Sequence, residues 1–267
     1  MRGTSRSWAV SMARQAQPGA ARPRSTAASF GVGTLLVWAL CSARVSAEPP
    51  VADVASPRSP EQELASFELA WPELSIELVA AEPDVVDPVA CCWDAAGALY
   101  VVEMHDYPLG PPAGRVKRLV DRDHDGRYEQ VTVFAEGLAF PNGALPYGDG
   151  LLVTAAPDIW FLADRDGDGR AEERRMVLTG FGEGNQQLRV NGLAWGLDGF
   201  IYGANGRSDG QLRWPDNSSD KTPDESPDKA INLAGHDFRF RLEPRSLEAL
   251  AGPSQFGLAF DDFGQRF

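Results

Sequence analysis

The chain has 267 residues, 43% of them hydrophobic, and carries a formal net charge of −13. This composition is that of a folded globular protein, and it excludes a disordered, collagen-like or polytopic membrane protein. The first 47 residues hold six arginines and no acidic residue, so the remainder has 19 basic against 38 acidic residues. Such an excess of negative charge repels phosphate backbones, which excludes nucleic acid as a partner.

The basic N-terminal segment has the layout of a secretory signal. An apolar run of twelve residues, 30–41, follows the arginines, and the segment ends in Val45-Ser46-Ala47. The run is shorter than the roughly 20 residues that span a bilayer. We therefore expect residues 1–47 to be a signal peptide and the protein to be periplasmic or at the cell surface. No membrane association is encoded beyond this segment; a retained N-terminal anchor is the alternative.

Residues 48–66 are predicted to be a linker, and residues 67–267 an all-β domain. The linker holds one short helix, from Pro60 to about Ala65, with Ser59 as its cap. The domain shows short apolar runs bounded by Gly, Pro and Asp in place of helical periodicity. These runs, each predicted to be a strand, are Ile76–Ala80, Leu99–Val102, Val116–Val120, Val131–Phe134, Leu151–Thr154, Ile159–Leu162, Phe200–Gly203 and Phe238–Leu242.

A recurring phrase predicts the architecture. Segments beginning at Pro88, Pro141, Asn191 and Phe256 each run into a glycine turn, and the turn glycines, Gly97, Gly150, Gly199 and Gly264, are 53, 49 and 65 residues apart. Periods near 40–50 residues are typical of four-stranded propeller blades. We predict about four blades of a six-bladed β-propeller, with a β-sandwich as the alternative. Since six blades need about 300 residues, we expect a truncated ring that is inactive alone.

The adjacent Cys91 and Cys92 cannot build a disulfide framework. On a strand, neighbouring side chains point to opposite faces. One buried and one half-buried thiol are therefore expected, with a vicinal disulfide as the alternative.

Two loops share the pattern D-x-D-x-D-G-x-x-E and lie 43 residues apart. Carboxylates at alternate positions around a turn-forming glycine can wrap oxygens round a hard cation, so calcium is predicted. The alternative is an acidic hairpin turn whose Asp and Gly serve only the backbone. The predicted ligands are Asp121, Asp123, Asp125 and Glu129 in the first loop, and Asp164, Asp166, Asp168 and Glu172 in the second.

Polar residues cluster where the predicted inner strands begin and end, which is where propellers place their sites. The catalytic candidates are Glu103, His105, Asp106 and Arg189, with His105 as a base beside Asp106. The candidate cofactor ligands are Asn185, Gln186, Gln187, Asn191, Asn205 and Arg207. The alternative is that these amides and arginines tie adjacent blades together.

Three segments, VVEMHDYP (101–108), TGFGEGNQQLRVNGLAWGLDGFIYGANG (179–206) and GPSQFGLAFDDFG (252–264), closely resemble the PVC-type membrane-bound dehydrogenases. The resemblance spans residues 67–267. It implies a secreted six-bladed propeller of the quinoprotein glucose/sorbosone dehydrogenase type, followed by helical repeats and a haem-binding CxxCH module. This chain contains no CxxCH, so the haem-domain continuation is missing from it.

The resemblance implies oxidation of a sugar or alcohol with pyrroloquinoline quinone (PQQ) as the cofactor. In that family a histidine precedes the G-x-D-G turn, here Gly196–Gly199, and serves as the base. The corresponding position is Gln187 or Leu188, and neither can accept a proton.

Two competing functions stay open. One is a calcium-dependent, lactonase-like hydrolase with Glu103, Asn142 and Asn191 around one ion. The other is a non-catalytic propeller that binds carbohydrate or protein.

Cleavage of the signal should occur between Ala47 and Glu48, because the apolar run ends there in small residues. N-terminal sequencing of the protein recovered from a periplasmic fraction should begin at Glu48. A chain that still begins at Met1 or Met12 would contradict cleavage and favour the anchor.

Overall fold

The structure is a computed structural model that describes residues 56–215 and 230–267. The predicted signal peptide and the first part of the linker lie outside the described residues. Within the described ranges there are one α-helix, one 3-10 helix and fourteen strands. They are α1 Pro60–Leu64, β1 Pro88–Trp93, β2 Leu99–Glu103, β3 Gly114–Val120, β4 Gln130–Leu138, β5 Gly143–Tyr147, β6 Gly150–Ala155, β7 Asp158–Ala163, β8 Glu173–Phe181, the 3-10 helix Gln186–Leu188, β9 Asn191–Trp195, β10 Ile201–Ala204, β11 Gly210–Arg213, β12 Ile231–Asn232, β13 His236–Leu242 and β14 Arg245–Ala251.

The strands form three antiparallel sheets, which confirms the all-β prediction. The first sheet has the order β1-β2-β3-β4 and the third β14-β13-β10-β9. The second runs β5-β6-β7-β8 and is extended by the hairpin β11-β12. None of the helices among the described residues has the length and apolarity needed to cross a bilayer.

The helix begins as predicted. The Ser59 hydroxyl accepts a hydrogen bond from the Gln62 amide at 3.2 Å, and the Gln62 side chain accepts one from the Ser59 amide at 2.9 Å. This reciprocal pair satisfies two amides that the first turn would otherwise leave unpaired, and it fixes the start at Pro60.

The hydrophobic core lies between consecutive sheets. Leu151 and Val153 of β6 belong to a cluster with Val102 of the first sheet. The residue between them, Leu152, belongs to a second cluster that includes Phe238 of the third sheet. Because strand side chains alternate between faces, β6 is apolar at successive positions instead of alternate ones. Its continuous apolar run is therefore explained by burial on both sides.

The first strand of each sheet lies against the first strand of the next. β5 contacts both β1 and β9, and glycines lie where the backbones approach each other. A Cβ on Gly143 would lie 3.3 Å from the Gly192 nitrogen, and one on Gly192 would lie 2.7 Å from the Gly257 Cα. The starts of β5, β9 and the segment at Gly257 are therefore packed backbone to backbone.

The recurring phrase forms the same hairpin turn in three of its four copies. These five-residue turns are 94–98, 196–200 and 261–265. In each turn the backbone amide of the first residue donates to the carbonyl of the fifth, and the amide of the fourth residue, a glycine, donates to the carbonyl of the first. These glycines have φ between +76° and +87°. The second copy differs, because Gly148 supplies the positive φ and Gly150 begins β6. The fourth copy closes a hairpin by mutual hydrogen bonds of Ala259 and Phe267, at 3.1 and 2.9 Å.

Two predictions about local structure are wrong. Residues 76–80 form no strand; Val79 and Ala80 pack instead on the face of the first sheet that carries Leu99 and Leu119. Cys91 is exposed instead of buried, because it lies on the face of β1 opposite to Cys92, which packs against the cluster of Val102 and Leu151. Cys92 is half-buried as expected, both thiols are free, and burial raises the pKa of Cys92 to about 12.

Substituting Gly192 tests the close approach of the first strands. Gly192 and Gly148 have φ of +60° and +56°, so alanine pays the same left-handed backbone cost, about 1–2 kcal/mol, at either position. Only Gly192→Ala adds a clash with backbone, since a Cβ on Gly148 meets nothing within 4 Å. Urea unfolding should show Gly192→Ala to be less stable than Gly148→Ala by about 2 kcal/mol or more. Equal losses would contradict the packing.

Candidate functional site

The polar candidates collect at one end of the sheets. β1 begins where β2 ends, since Pro88 pairs with Glu103. The loop after β2 reaches the start of β5, because an Asp106 carboxylate oxygen, Oδ2, accepts the Phe140 amide hydrogen bond at 2.7 Å. The backbone contact between β5 and β9 continues the same end into the third sheet. The site therefore lies where the first strands begin, and we call this the strand-start end.

Glu103 is the best-connected carboxylate at this end. Its side chain is fully buried and receives three donors. Oε1 accepts the Val86 amide at 2.8 Å and lies 3.3 Å from Lys117 Nζ, while Oε2 lies 2.9 Å from His105 Nε2. A buried carboxylate needs a compensating cation and hydrogen bonds to be tolerated. Lys117 supplies the cation, and the Val86 amide and His105 supply the hydrogen bonds.

His105 is the member of this group that solvent can reach, with 24% of its side chain exposed. An ionised carboxylate can only accept hydrogen bonds, so the bond to Glu103 places the imidazole proton on Nε2. Nδ1 then carries the lone pair. The pair is a histidine oriented by a buried carboxylate, which is the arrangement of a general base.

Asp106 does not contact His105 in the way the sequence suggested. Its Oδ2 is used by the Phe140 amide, and its Oδ1 is buried without a hydrogen-bond partner among the described residues. The carboxylate at His105 is Glu103, because successive loop side chains diverge and Asp106 turns towards the second sheet. The prediction of a His105–Asp106 pair is therefore replaced by His105–Glu103.

Arg189 lies on the other side of Phe140. Its guanidinium carbon is 4.4 Å from the centre of that ring, and Nη2 donates to the Glu183 carbonyl at 2.7 Å. Burial lowers the pKa of this guanidinium, and the charges of Glu183 and Asp106 oppose that shift. Its Nε also lacks a hydrogen-bond partner within the described chain. Asp106 and Arg189 thus offer one buried acceptor and one buried donor beside Phe140.

The asparagines act as ties between chain segments, which was the alternative left open by the sequence. Asn191 donates to the carbonyls of Arg189 and Gln255, both at 2.9 Å, and accepts the Gly257 amide at 2.7 Å. The Asn205 side-chain nitrogen donates to the Leu233 carbonyl at 2.9 Å, and the Asn205 backbone amide donates to the Asp237 carboxylate at 3.0 Å. The Asn191 side chain thus bonds through both its nitrogen and its oxygen, whereas the Asn205 Oδ1 is buried without a partner among the described residues.

The other predicted cofactor ligands lie in two loops. Asn185 accepts the Gln187 amide at 2.9 Å and so caps the 3-10 helix. Gln187 donates to the Tyr107 hydroxyl at 2.7 Å, which joins this helix to the loop that carries His105. Gln186 is half-buried, and Arg207 is exposed with φ of +64°. Four of the six residues therefore have partners in the chain, and Asn205 also has a buried Oδ1 without a partner among the described residues.

Two of the three residues of the hydrolase hypothesis already have partners. Glu103 has a donor or cation on each oxygen, and the Asn191 oxygen accepts the Gly257 amide. The buried Asn142 has a side-chain nitrogen without a partner among the described residues. The charge of Lys117, 3.3 Å from Glu103 Oε1, opposes a calcium ion at that carboxylate.

The two Asp-rich loops lie at the opposite end of the sheets, between β3 and β4 and between β7 and β8. In the second loop, ligand oxygens of Asp164, Asp166, Asp168 and Glu172 lie within 4.8 Å of one another. In the first, Asp121, Asp123 and Glu129 do so. Asp125 lies outside that group, and its Oδ1 accepts the Arg127 amide at 2.8 Å. These are acidic groups that can hold a metal ion.

The second loop is the better arranged of the two. The first has His124 at φ +62° where the second has Gly167 at φ +83°, and a left-handed backbone is costly for a residue with a Cβ. Burial opposes ionisation of Asp164, but hydrogen bonds from the Gly167 and Gly169 amides outweigh it and lower its pKa. Arg165 pairs with Asp149 and Glu173, outside the ligand group, so it does not compete with an ion.

The sequence analysis missed Lys117 and Tyr107. Lys117 is only 8% exposed, but the sequence GRVKRLV of β3 gives no sign of this, because Arg115 and Arg118 in the same strand are only half-buried. Tyr107 had no signal beyond its proximity to His105, because its partner Gln187 is 80 residues away along the chain.

Residues 59–267 match the family described as Domain of unknown function (DUF7133). The chain belongs to this family. No curated protein matches it. Its DUF7133 domain is similar to an iodide structure and a calcium structure of the Trichoderma reesei carbohydrate-active enzymes family AA12, at 16% and 17% identity and a TM-score of 0.37 for each. The matches cover 54% and 55% of this chain and 38% and 39% of those structures. A TM-score this low does not transfer an activity.

Calcium should stabilise the protein through the second loop. Clustered carboxylates repel one another, and an ion that binds the folded state raises its stability by mass action. Thermal melts in calcium should therefore exceed those in chelator. Asp166→Asn keeps an oxygen that accepts the Asp168 amide, so it should abolish the calcium effect while leaving or raising the melting temperature in chelator.

Asp149→Asn is the matched control, because it removes a carboxylate that pairs with Arg165 outside the ligand group. It should retain the calcium response. Identical melts of the parent protein in calcium and in chelator would contradict a metal site.

Proposed function

We propose that the DUF7133 domain forms part of a six-bladed β-propeller oxidoreductase of the quinoprotein glucose/sorbosone dehydrogenase type. Three features support the architecture: successive antiparallel sheets built on four consecutive or nested strands, first strands in mutual contact, and a phrase that repeats four times. In this architecture the strand-start end is a mouth of the central channel, and loops there bind the substrate.

The observation that carries the function is the contact of 2.9 Å between His105 Nε2 and the fully buried Glu103. It fixes the tautomer, so the base is Nδ1, and it stabilises the imidazolium after a proton arrives. Lys117 neutralises Glu103 while His105 is neutral. His105 would accept the hydroxyl proton of a sugar or alcohol as that hydroxyl is oxidised to a carbonyl.

The other products of that oxidation are two electrons and a second hydrogen, which leave together as hydride. The resemblance to PVC-type dehydrogenases names a quinone as their acceptor. The role proposed for this chain's own residues is proton transfer at His105. Electron transfer to a haem domain belongs to the same resemblance.

Changing His105 should remove the base. His105→Gln keeps a polar side chain of similar reach but cannot accept a proton at neutral pH, so whatever dye reduction by sugars or alcohols the parent chain supports should fall about 10²–10⁴-fold. The assay uses the full chain with PQQ, calcium and an artificial electron acceptor. His236→Gln is the matched control, because His236 is an exposed residue bonded to the Leu250 carbonyl. Unchanged turnover in His105→Gln would overturn the assignment.

A second measurement does not depend on turnover. Long-range ¹H–¹⁵N spectra of the imidazoles should show His105 in the Nε2–H tautomer in the parent protein, and a mixture of tautomers in Glu103→Ala. An Nδ1–H tautomer in the parent would contradict the proposed base even if the chain alone oxidises nothing.

A further inference from the structure

Tyr107 is an exposed aromatic ring that is held in a fixed position. Its side chain is 49% exposed, and its hydroxyl accepts a hydrogen bond from Gln187 Nε2 at 2.7 Å. The backbone of Gln187 is itself held in place, since its backbone amide donates to the side chain of Asn185, the cap of the 3-10 helix. The neighbouring loop therefore orients the ring while part of the ring surface faces solvent.

Tyr107 belongs to the same turn as the proposed base. The Tyr107 amide donates to the Met104 carbonyl at 3.4 Å, so His105 and Asp106 are the central residues of a turn that Tyr107 closes. The first and last Cα atoms of such a turn are within about 7 Å of each other. The Asp106 side chain is hydrogen-bonded to the Phe140 amide, and the His105 side chain to Glu103. The loop cannot carry Tyr107 away from His105 without breaking these contacts.

An exposed aromatic face beside a base suits one class of substrate. A ring-closed sugar has a rigid face of C–H groups bordered by hydroxyls, and an aromatic ring packs against that apolar face while the hydroxyls stay hydrated. An open-chain polyol has the same hydroxyls but no rigid face, and it must lose more conformational entropy to stack. Holding the ring in advance reduces the cost of binding.

We infer that Tyr107 is a stacking residue that selects ring-closed sugars over open-chain alcohols, with Gln187 as its positioning residue. This inference rests on the proposed function, because it names the substrate class of the His105 site.

The test measures binding, which needs no proton transfer. Methyl glucopyranoside and sorbitol are titrated separately into the full chain and its variants by calorimetry or ligand-observed NMR. Tyr107→Ala should weaken methyl glucopyranoside binding about tenfold and leave sorbitol unchanged. Tyr107→Phe keeps the ring and loses the Gln187 bond, so its loss should stay within about threefold. Leu109→Ala, an exposed apolar neighbour at 83% exposure, is the matched control and should bind both as the parent does.

Three outcomes would overturn the inference: a parent chain that binds no pyranoside, a Tyr107→Ala variant that binds it undiminished, or equal weakening of both ligands. If the ring serves only to tie the two loops, thermal stability falls in Tyr107→Ala and Tyr107→Phe alike, without a change in the pyranoside-to-sorbitol ratio. Failure here with a His105→Gln variant that has lost turnover would leave the proposed function standing. If Tyr107→Ala selectively loses pyranoside binding while His105→Gln keeps full turnover, the stacking role of Tyr107 stands and the assignment of His105 as the base fails.

Discussion

The close approach of backbone at Gly143, Gly192 and Gly257 is the constraint on which the rest of the structure depends. A Cβ on Gly192 would lie 2.7 Å from the Gly257 Cα, and one on Gly143 would lie 3.3 Å from the Gly192 nitrogen, so the chain has no room for a side chain at Gly192. The sheets can then stack closely enough for Leu152 and Phe238 to share one core. The same contact brings the loops of three sheets to one end, which is how residues from β2, from the segment before β5 and from the 3-10 helix become neighbours.

Burial of charge at that end has an energetic consequence. Removing Glu103 from water costs several kcal/mol unless partners compensate, and Lys117, His105 and the Val86 amide are those partners. An arrangement of this kind gives modest net stability but strong orientation, because a single missing partner leaves an unpaired buried charge. It explains why an imidazole exposed to solvent is nevertheless held in one tautomer.

The two ends of the sheets use their polar residues differently. At the strand-start end, asparagines such as Asn191 and Asn205 bond to backbone amides and carbonyls, and so fix the crossing points of the chain. At the opposite end, each carboxylate of the second Asp-rich loop accepts a nearby amide but keeps further lone pairs directed at its neighbours. The first set serves the fold, and the second retains capacity for a cation.

The sequence by itself determined the all-β class, most of the strand positions, the start of α1 and the acidic loops, because these depend on apolar alternation, turn residues and contacts within about ten positions of the chain. The tertiary structure decided which carboxylate orients His105. Asp106 is the sequence neighbour, but Glu103 is the carboxylate that meets Lys117 on the adjacent strand β3 and the Val86 amide 17 residues away, because the pairing of β1, β2 and β3 brings these groups together. Ile76–Ala80 had the composition of a strand, but Val79 and Ala80 pack on the face of the first sheet instead of pairing with a strand. The Tyr107–Gln187 contact joins residues 80 positions apart, so it too was decided by the stacking of the sheets.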